Sequence, residues 1–237
     1  MVVEQGYYCN EKCLVACTTK YHKYECGCGP YFHMLMLPRN FLLALRILTT
    51  LQPAGIKTFF QNGTTPEEEM LKSSSGELIL GSEGGVYRSQ SYLPIHHLIS
   101  HPQKCLPSEL LSYAVTAITI THILQKHSSF FEGLEDSTYA EFVSSLLLLH
   151  FQNLPCNAHS LYSLPNGPCE SSEEESREWI GSAVGEEYGV GAFGVLSLIN
   201  HSCDPNTVRS DSNSTPPFKK LKLWRGIQPT KRLIQFI

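Results

Sequence analysis

The chain has no apolar run approaching the about 20 residues that a membrane-spanning helix needs. Its longest candidates, Phe41–Leu51 and Val143–Phe151, are short and read as buried helices. It has no excess of positive charge either. Lys and Arg number 18 against 22 Asp and Glu, for a net charge of −4, and no basic block stands out. A protein that coats nucleic acid needs the opposite balance, so neither a membrane nor a specific nucleic acid is an expected partner. Met1–Gly6 lacks the basic-then-apolar layout of a secretory leader. No internal repeat of helical-hairpin length is visible. What the chain does have is cysteine. There are 9 in 237 residues, and five of them crowd into Cys9–Cys28 beside His22. Without a leader, Cys/His clustering favours metal over disulfides. The 42% hydrophobic content supports one core plus a small appended module.

Composition divides the chain. Residues 7–28 are Cys-rich and short of aliphatics, and residues 38–151 are mostly helical in pattern, with a Gly/Ser-rich break at Ser73–Gly85. Pro38–Leu51 predicts a helix that starts at its proline. Ser108–Gln125 predicts another, with Leu111, Val115 and Ile118 on one face, although its Val-Thr-Ala-Ile-Thr-Ile stretch favours strand locally. Thr138 and Glu141 fit a capping box, after which Phe142, Val143, Leu146 and Leu147 repeat at helical spacing. Cys156–Leu164 and Gly194–Ile199 are short, apolar and flanked by Gly and Pro, and they read as strands. Asn166–Ser176, with Glu173–Glu175, reads as a solvated loop. Ser210–Pro217 is loop-like, and an apolar-basic tail follows it.

The first chemical signal is Tyr8-Cys9-x3-Cys13, eight residues, then His22-x3-Cys26. Zinc takes four Cys or His ligands in a tetrahedron, and pairs a few residues apart can bite one ion. The simplest reading places Cys9, Cys13, His22 and Cys26 on one zinc. Reduced buried cysteines are the alternative, common for isolated cysteines but improbable for this cluster. The second signal is Leu198-Ile199-Asn200-His201-Ser202-Cys203-Asp204-Pro205-Asn206, an apolar strand running into a dense polar turn. Asp-Pro-Asn bends the chain, and Asn200 and His201 stand at a strand end, where ligands are often met. On chemistry alone, side chains that merely satisfy turn backbone are the better reading.

These strings resemble the SET and MYND family of lysine methyltransferases. Tyr-Cys-x3-Cys, Ala16 and Tyr21-His22-x2-Glu25-Cys26 are similar to the second half of a MYND zinc finger. That finger is cross-braced around two zincs. The resemblance therefore implies Cys9 and Cys13 on one ion and His22 and Cys26 on the other. Only eight residues precede Cys9, so each zinc would keep two of its four protein ligands, too few for a structural site. Cys17 and Cys28 are spare thiols. The Asn-His-Ser-Cys string resembles the SET signature whose Asn-His pair contacts S-adenosylmethionine, a role the resemblance gives to Asn200 and His201. In this branch the cysteine of that motif, here Cys203, joins a further zinc. Leu154-Pro155-Cys156-Asn157-Ala158-His159 is similar to the family's Cys-Asn-x-Phe strand, whose asparagine touches the cofactor. This implies Asn157, with His159 in place of the usual phenylalanine. A strand-edge asparagine paired with backbone is an almost equal reading of Asn157.

The resemblance implies an α+β fold. A SET-type β core carries an inserted helical region and is preceded by an incomplete MYND zinc finger. Half of the finger would occupy 7–28, a helical linker and the start of the SET region 29–90, the helical insertion 91–151 and the SET core 152–237. It implies S-adenosylmethionine-dependent methyl transfer to a lysine of a protein substrate, histone or other, in nucleus and cytoplasm. Proline-containing peptides would be partners of the finger. The catalytic residues stay unknown. Lys222–Lys231 is similar to the strand before the family's Gly-Glu-Glu-Ile and tyrosine segment, yet neither that segment nor its tyrosine follows before Ile237. An impaired chain is thus the expectation. A non-catalytic scaffold that binds protein partners is the alternative function.

Overall fold

The computed structural model describes residues 11–63, 82–83, 86–87, 92–162, 187–194, 196–198, 207–211 and 219–223. It divides into two compact units, Met1–Asn157 and Ala158–Ile237.

The first unit is helical. Helix α1 (Glu11–Cys17) runs on through a π-helical turn (Thr18–His22), α2 (Lys23–Glu25), a 3-10 turn (Cys26–Cys28) and α3 (Gly29–Met34). Helices α4 (Arg39–Asn62), α5 (Tyr92–His96), α6 (Pro107–His127) and α7 (Ser137–Asn157) follow, with a short antiparallel pair β1 (Ser82–Glu83) and β2 (Val86–Tyr87) between α4 and α5. Pro38 caps α4 instead of opening it, with ψ at 150°. The expected stop at Leu51 is real but local. Gln52 has φ 62° and ψ 165°, and the helix resumes at Pro53 with a kink. A residue before proline is pushed out of the α region, and the resumed segment buries Ile56 and Phe59.

The core lies where α4, α6 and α7 meet. Phe41 of α4 stacks on Phe151 of α7 at a centroid separation of 4.0 Å. Ala44, Leu45 and Leu48 join Ile120, Leu124, Val143, Leu147 and Leu154, all fully or nearly fully buried. The expected apolar face of α6 is the outward one. Leu111, Val115 and Ile118 are 66%, 55% and 62% exposed, while Ala117, Ile120, Thr121, Ile123 and Leu124 are buried. This helix is apolar on both sides, so periodicity alone does not choose. The side that also offers Thr121 to the Ser144 hydroxyl, 2.9 Å away, faces α7. The Thr138 capping box is replaced by Asp136, whose Oδ1 accepts from the Thr138 amide at 2.9 Å. Aspartate accepts as well as threonine at a helix start, and α7 begins one residue before Thr138.

A polar ladder sits on α7 beside this core. His150 Nε2 is 3.0 Å from the Tyr92 hydroxyl and its Nδ1 is 3.4 Å from Asn153 Oδ1. Asn153 Nδ2 donates to the Ile95 carbonyl, and Asn157 Nδ2 donates to the carbonyls of Ile99 and Asn153. Side chains three and four apart on one helix thus pin the 92–99 segment along its length.

In the second unit β3 (Ala158–Tyr162) pairs antiparallel with β4 (Glu187–Ala192), in the register Ala158↔Ala192 to Leu161↔Gly189, with a bulge before Tyr162. β5 (Thr207–Asp211) pairs with β6 (Lys219–Leu223). Two strand expectations are corrected. Cys156 and Asn157 close α7, so the strand starts at Ala158. Within the 194–199 stretch, the described residues Leu196–Leu198 are not in a strand. They form a 3-10 turn, closed by the Ser197 amide on the Phe193 carbonyl at 2.9 Å. Ser210 and Asp211, expected in a loop, end β5. The acidic stretch 166–176 lies outside the described residues. The architecture is α+β, and no helix among the described residues is long and apolar enough to cross a membrane.

Two outcomes follow from this packing. A Cβ on Gly27 would lie 2.5 Å from the His127 carbonyl oxygen at the end of α6, whereas one on Gly29 meets nothing within 4 Å. Gly27→Ala should cost about 1–3 kcal/mol in urea unfolding, and Gly29→Ala should be neutral or better; equal effects would contradict the packing. His150 is fully buried, and that burial pushes its pKa down to about 4 from 6.5, against the opposing hydrogen bond from Asn153. The unfolded chain takes up the proton first, so stability is complete above pH 6.5 and drains as pH falls toward 4. Urea midpoints compared between pH 7 and pH 5 should fall more steeply for the native chain than for His150→Gln.

Candidate functional site

The cysteine-rich segment docks on α4 through charge and an aromatic ring. Glu25 takes the Arg46 guanidinium in a fork, with Nε to Oε1 at 2.7 Å and Nη2 to Oε2 at 2.6 Å. The Thr49 hydroxyl adds a donor to Glu25 Oε1 at 2.6 Å. Arg46 also lies 3.9 Å over the Tyr21 ring. Burial alone would lower the pKa of Arg46, but the hydrogen bonds and charge of Glu25 outweigh it and hold the cation more firmly. Burial and the hydrogen bond with Cys17 push the Tyr21 phenol up to about 12.

Of the residues read as zinc ligands, Cys13 and Cys26 are exposed. His22 and Cys26 stand four apart in a helical run, hence on one face. His22 Nε2 is buried with no hydrogen-bond partner. An orphaned imidazole nitrogen suits a metal donor, but two donors make no tetrahedron. Among the described residues no three His, Cys, Asp or Glu side chains gather to hold an ion. Cys9 and Cys203 lie outside the described residues. The spare thiols serve packing instead. Cys28 is fully buried, its Sγ 3.7 Å from the Tyr24 carbonyl oxygen. Burial pushes that thiol up to about 11, away from the thiolate that zinc requires. Cys17 is buried beside Tyr21.

Among the residues read as cofactor contacts, Asn157 is buried at the end of α7, its amide nitrogen donating to the backbone carbonyls of Ile99 and Asn153. Asn200 and His201 lie outside the described residues. The strands next to these positions are described. β3 leaves directly from Asn157, and β4 with its 3-10 turn leads to Leu198, two residues before Asn200. The Ser197 hydroxyl lies 3.3 Å from His159 Nε2, and the Phe193 ring sits 6.1 Å from the His159 ring. Reading the sequence flagged His159 only as a departure from phenylalanine. Neither its partner nor the His150 ladder carries a motif that could have marked it, because both depend on residues 38 and 58 positions away.

Comparison with known proteins finds relatives over most of the chain. The chain is 27% identical over 226 residues to protein-lysine N-methyltransferase SMYD4 of Danio rerio, covering 89% of this chain and 29% of that one. It is 24% identical to the Gallus gallus protein of the same name, over 84% of this chain and 30% of that one. Histone-lysine N-methyltransferase ASHR1 of Arabidopsis thaliana is 28% identical over 51% of this chain and 18% of its own. The chain is thus similar, at 23–28% identity, to proteins named as protein-lysine and histone-lysine methyltransferases. It spans about 29% of the length of the SMYD4 relatives. No family model matches it, and no solved structure does. Glu25 of the finger-like string is a residue that docks the segment on α4.

That docking predicts a measurable loss. Arg46→Lys keeps the charge but cannot fork onto Glu25 or lie flat on Tyr21. Thermal and urea unfolding should show a loss of about 1 kcal/mol, since Arg46 is partly solvated. A loss of equal size in a chain already carrying Glu25→Gln would show that the two residues do not act through each other.

Proposed function

We propose that this chain carries part of the cofactor wall of an S-adenosylmethionine-dependent protein-lysine methyltransferase of the SET and MYND type. One observation carries the reading beyond the names of the relatives. β3, which starts at the residue after Asn157, pairs with β4, which leads toward Asn200 and His201. Two motif matches some forty residues apart in sequence are thus tied to adjacent strands. That placement suits a pocket whose polar groups come from different segments. Asn157, Asn200 and His201 are assigned to the cofactor.

The cofactor supplies a methyl on a sulfonium, and the protein must bring a lysine amine into line with it. Orientation of that kind contributes on the order of 7–11 kcal/mol. The substrate is a protein lysine, with histones among the candidates, and the setting is nucleus and cytoplasm. Cys9 and Cys13 are assigned to one zinc, His22 and Cys26 to a second and Cys203 to a third. The described donors do not complete any of these sites, so no step is routed through zinc. Proline-containing peptides remain the proposed partners of the finger segment.

A non-catalytic scaffold is the second reading, favoured by the exposed Leu111, Val115 and Ile118 stripe on α6. Calorimetric titration with S-adenosylmethionine separates the two. Saturable binding that weakens about tenfold or more in Asn200→Ala, as expected for a lost hydrogen bond of ~1–2 kcal/mol, supports the enzyme. A chain that is folded by circular dichroism and gives no heat with the cofactor belongs to the scaffold reading.

A further inference from the structure

We propose that His159 is a positioning residue for the cofactor turn: its imidazole, hydrogen-bonded to the Ser197 hydroxyl, fixes the point from which the chain enters Asn200 and His201. The inference rests on the methyltransferase reading of those two residues.

Three contacts form the clip. His159 Nε2 and Ser197 Oγ are 3.3 Å apart, joining β3 to the 3-10 turn. The Ser197 amide donates to the Phe193 carbonyl at 2.9 Å, so Ser197 sits in a closed turn. The Phe193 ring covers Gly191, the register partner of His159, so closely that a Cβ there would lie 2.7 Å from the ring. The first contact crosses from β3 to the segment after β4, and the other two order that segment itself. Asn200 lies three positions after Ser197, and an extended chain spans at most about 3.3–3.6 Å per residue. Fixing Ser197 therefore confines Asn200 within about 10 Å. Cofactor contacts gain from such restraint because ordering is completed before the ligand arrives. A phenylalanine at 159 would keep the ring beside Phe193 but could not bond the hydroxyl. Here the imidazole is what ties the turn.

The test uses the whole 237-residue chain in five forms: native, His159→Phe, His159→Gln, Ser197→Ala and the His159→Phe/Ser197→Ala double. Hydrogen exchange of peptides covering 196–203 reads the clip without any cofactor. Calorimetry with S-adenosylmethionine reads its consequence, and thermal midpoints confirm that each variant folds. We expect exchange in 196–203 to rise about tenfold in His159→Phe and in Ser197→Ala, with no further rise in the double. We expect cofactor affinity to fall several-fold in step, and His159→Gln, which can still bond the hydroxyl, to recover most of both. Unchanged exchange in folded single variants overturns the clip, even when the native chain binds cofactor. Raised exchange with native cofactor affinity overturns the positioning role. A native chain that binds no cofactor overturns the methyltransferase reading and the cofactor role of the clip with it, while exchange still decides whether the His159–Ser197 contact orders the turn.

Discussion

The last two turns of α7 bury polar and apolar side chains side by side, and that burial constrains the rest of the first unit. Phe151 and Leu154 fill the core, while His150 and Asn153 are hidden just as completely and Asn157 nearly so. A buried polar group left unpaired costs roughly 1–3 kcal/mol, so these three must have partners. They find them in Tyr92, Ile95 and Ile99, on a segment distant in sequence. The 92–99 stretch is held because α7 demands acceptors and a hydroxyl from it. Hydrophobic packing sets where α4 and α6 lie. Hydrogen bonding sets where the segment before α6 lies. Pro155, which cannot donate within the helix, stands on the exposed side, away from the ladder.

How far the sequence foretold this depends on what kind of signal was available. The kinked helix was legible as far as Leu51 because the prolines at 38 and 53 act locally on the backbone. The interior of α7 was legible because Val143, Leu146 and Leu147 repeat at helical spacing, and all three are buried. The face of α6 was not. With apolar residues on both sides, the choice falls to a neighbouring helix, and Thr121 with Ser144 shows how a small polar pair tips it. The strand over 187–192 was missed for a related reason. Its glycines carry little strand propensity, yet pairing with β3 and the Phe193 ring over Gly191 select it. The apolar Leu196–Leu198 turns instead.

The candidate site divides along the same line. The identities of the Cys-Asn and Asn-His-Ser-Cys strings could be read directly, because they are contiguous. Their supports could not, because each support is a contact between distant positions. Glu25 shows both sides. It belongs to the finger-like string, but its place is against Arg46 and Thr49 of α4, where it neutralises a guanidinium that also covers Tyr21. The segment is thus seated on the helical unit by one carboxylate with three donors. His22, on the same run, keeps an unanswered nitrogen.

Asn157 and His159 stand two apart across the change from helix to strand, and each does a different kind of work. The Asn157 amide nitrogen satisfies carbonyls within the helical unit, so its position is set by α7 and the 92–99 segment. His159 reaches across the β3–β4 ladder to Ser197, so its position is set by the sheet. A motif of this kind does not have to contribute all of its side chains to a ligand. Those that bind need neighbours that hold backbone, and a short string that spans a helix end and a strand start can supply both. The side chain at 159 is accordingly met by a hydroxyl, a partner suited to a nitrogen rather than to a phenyl ring.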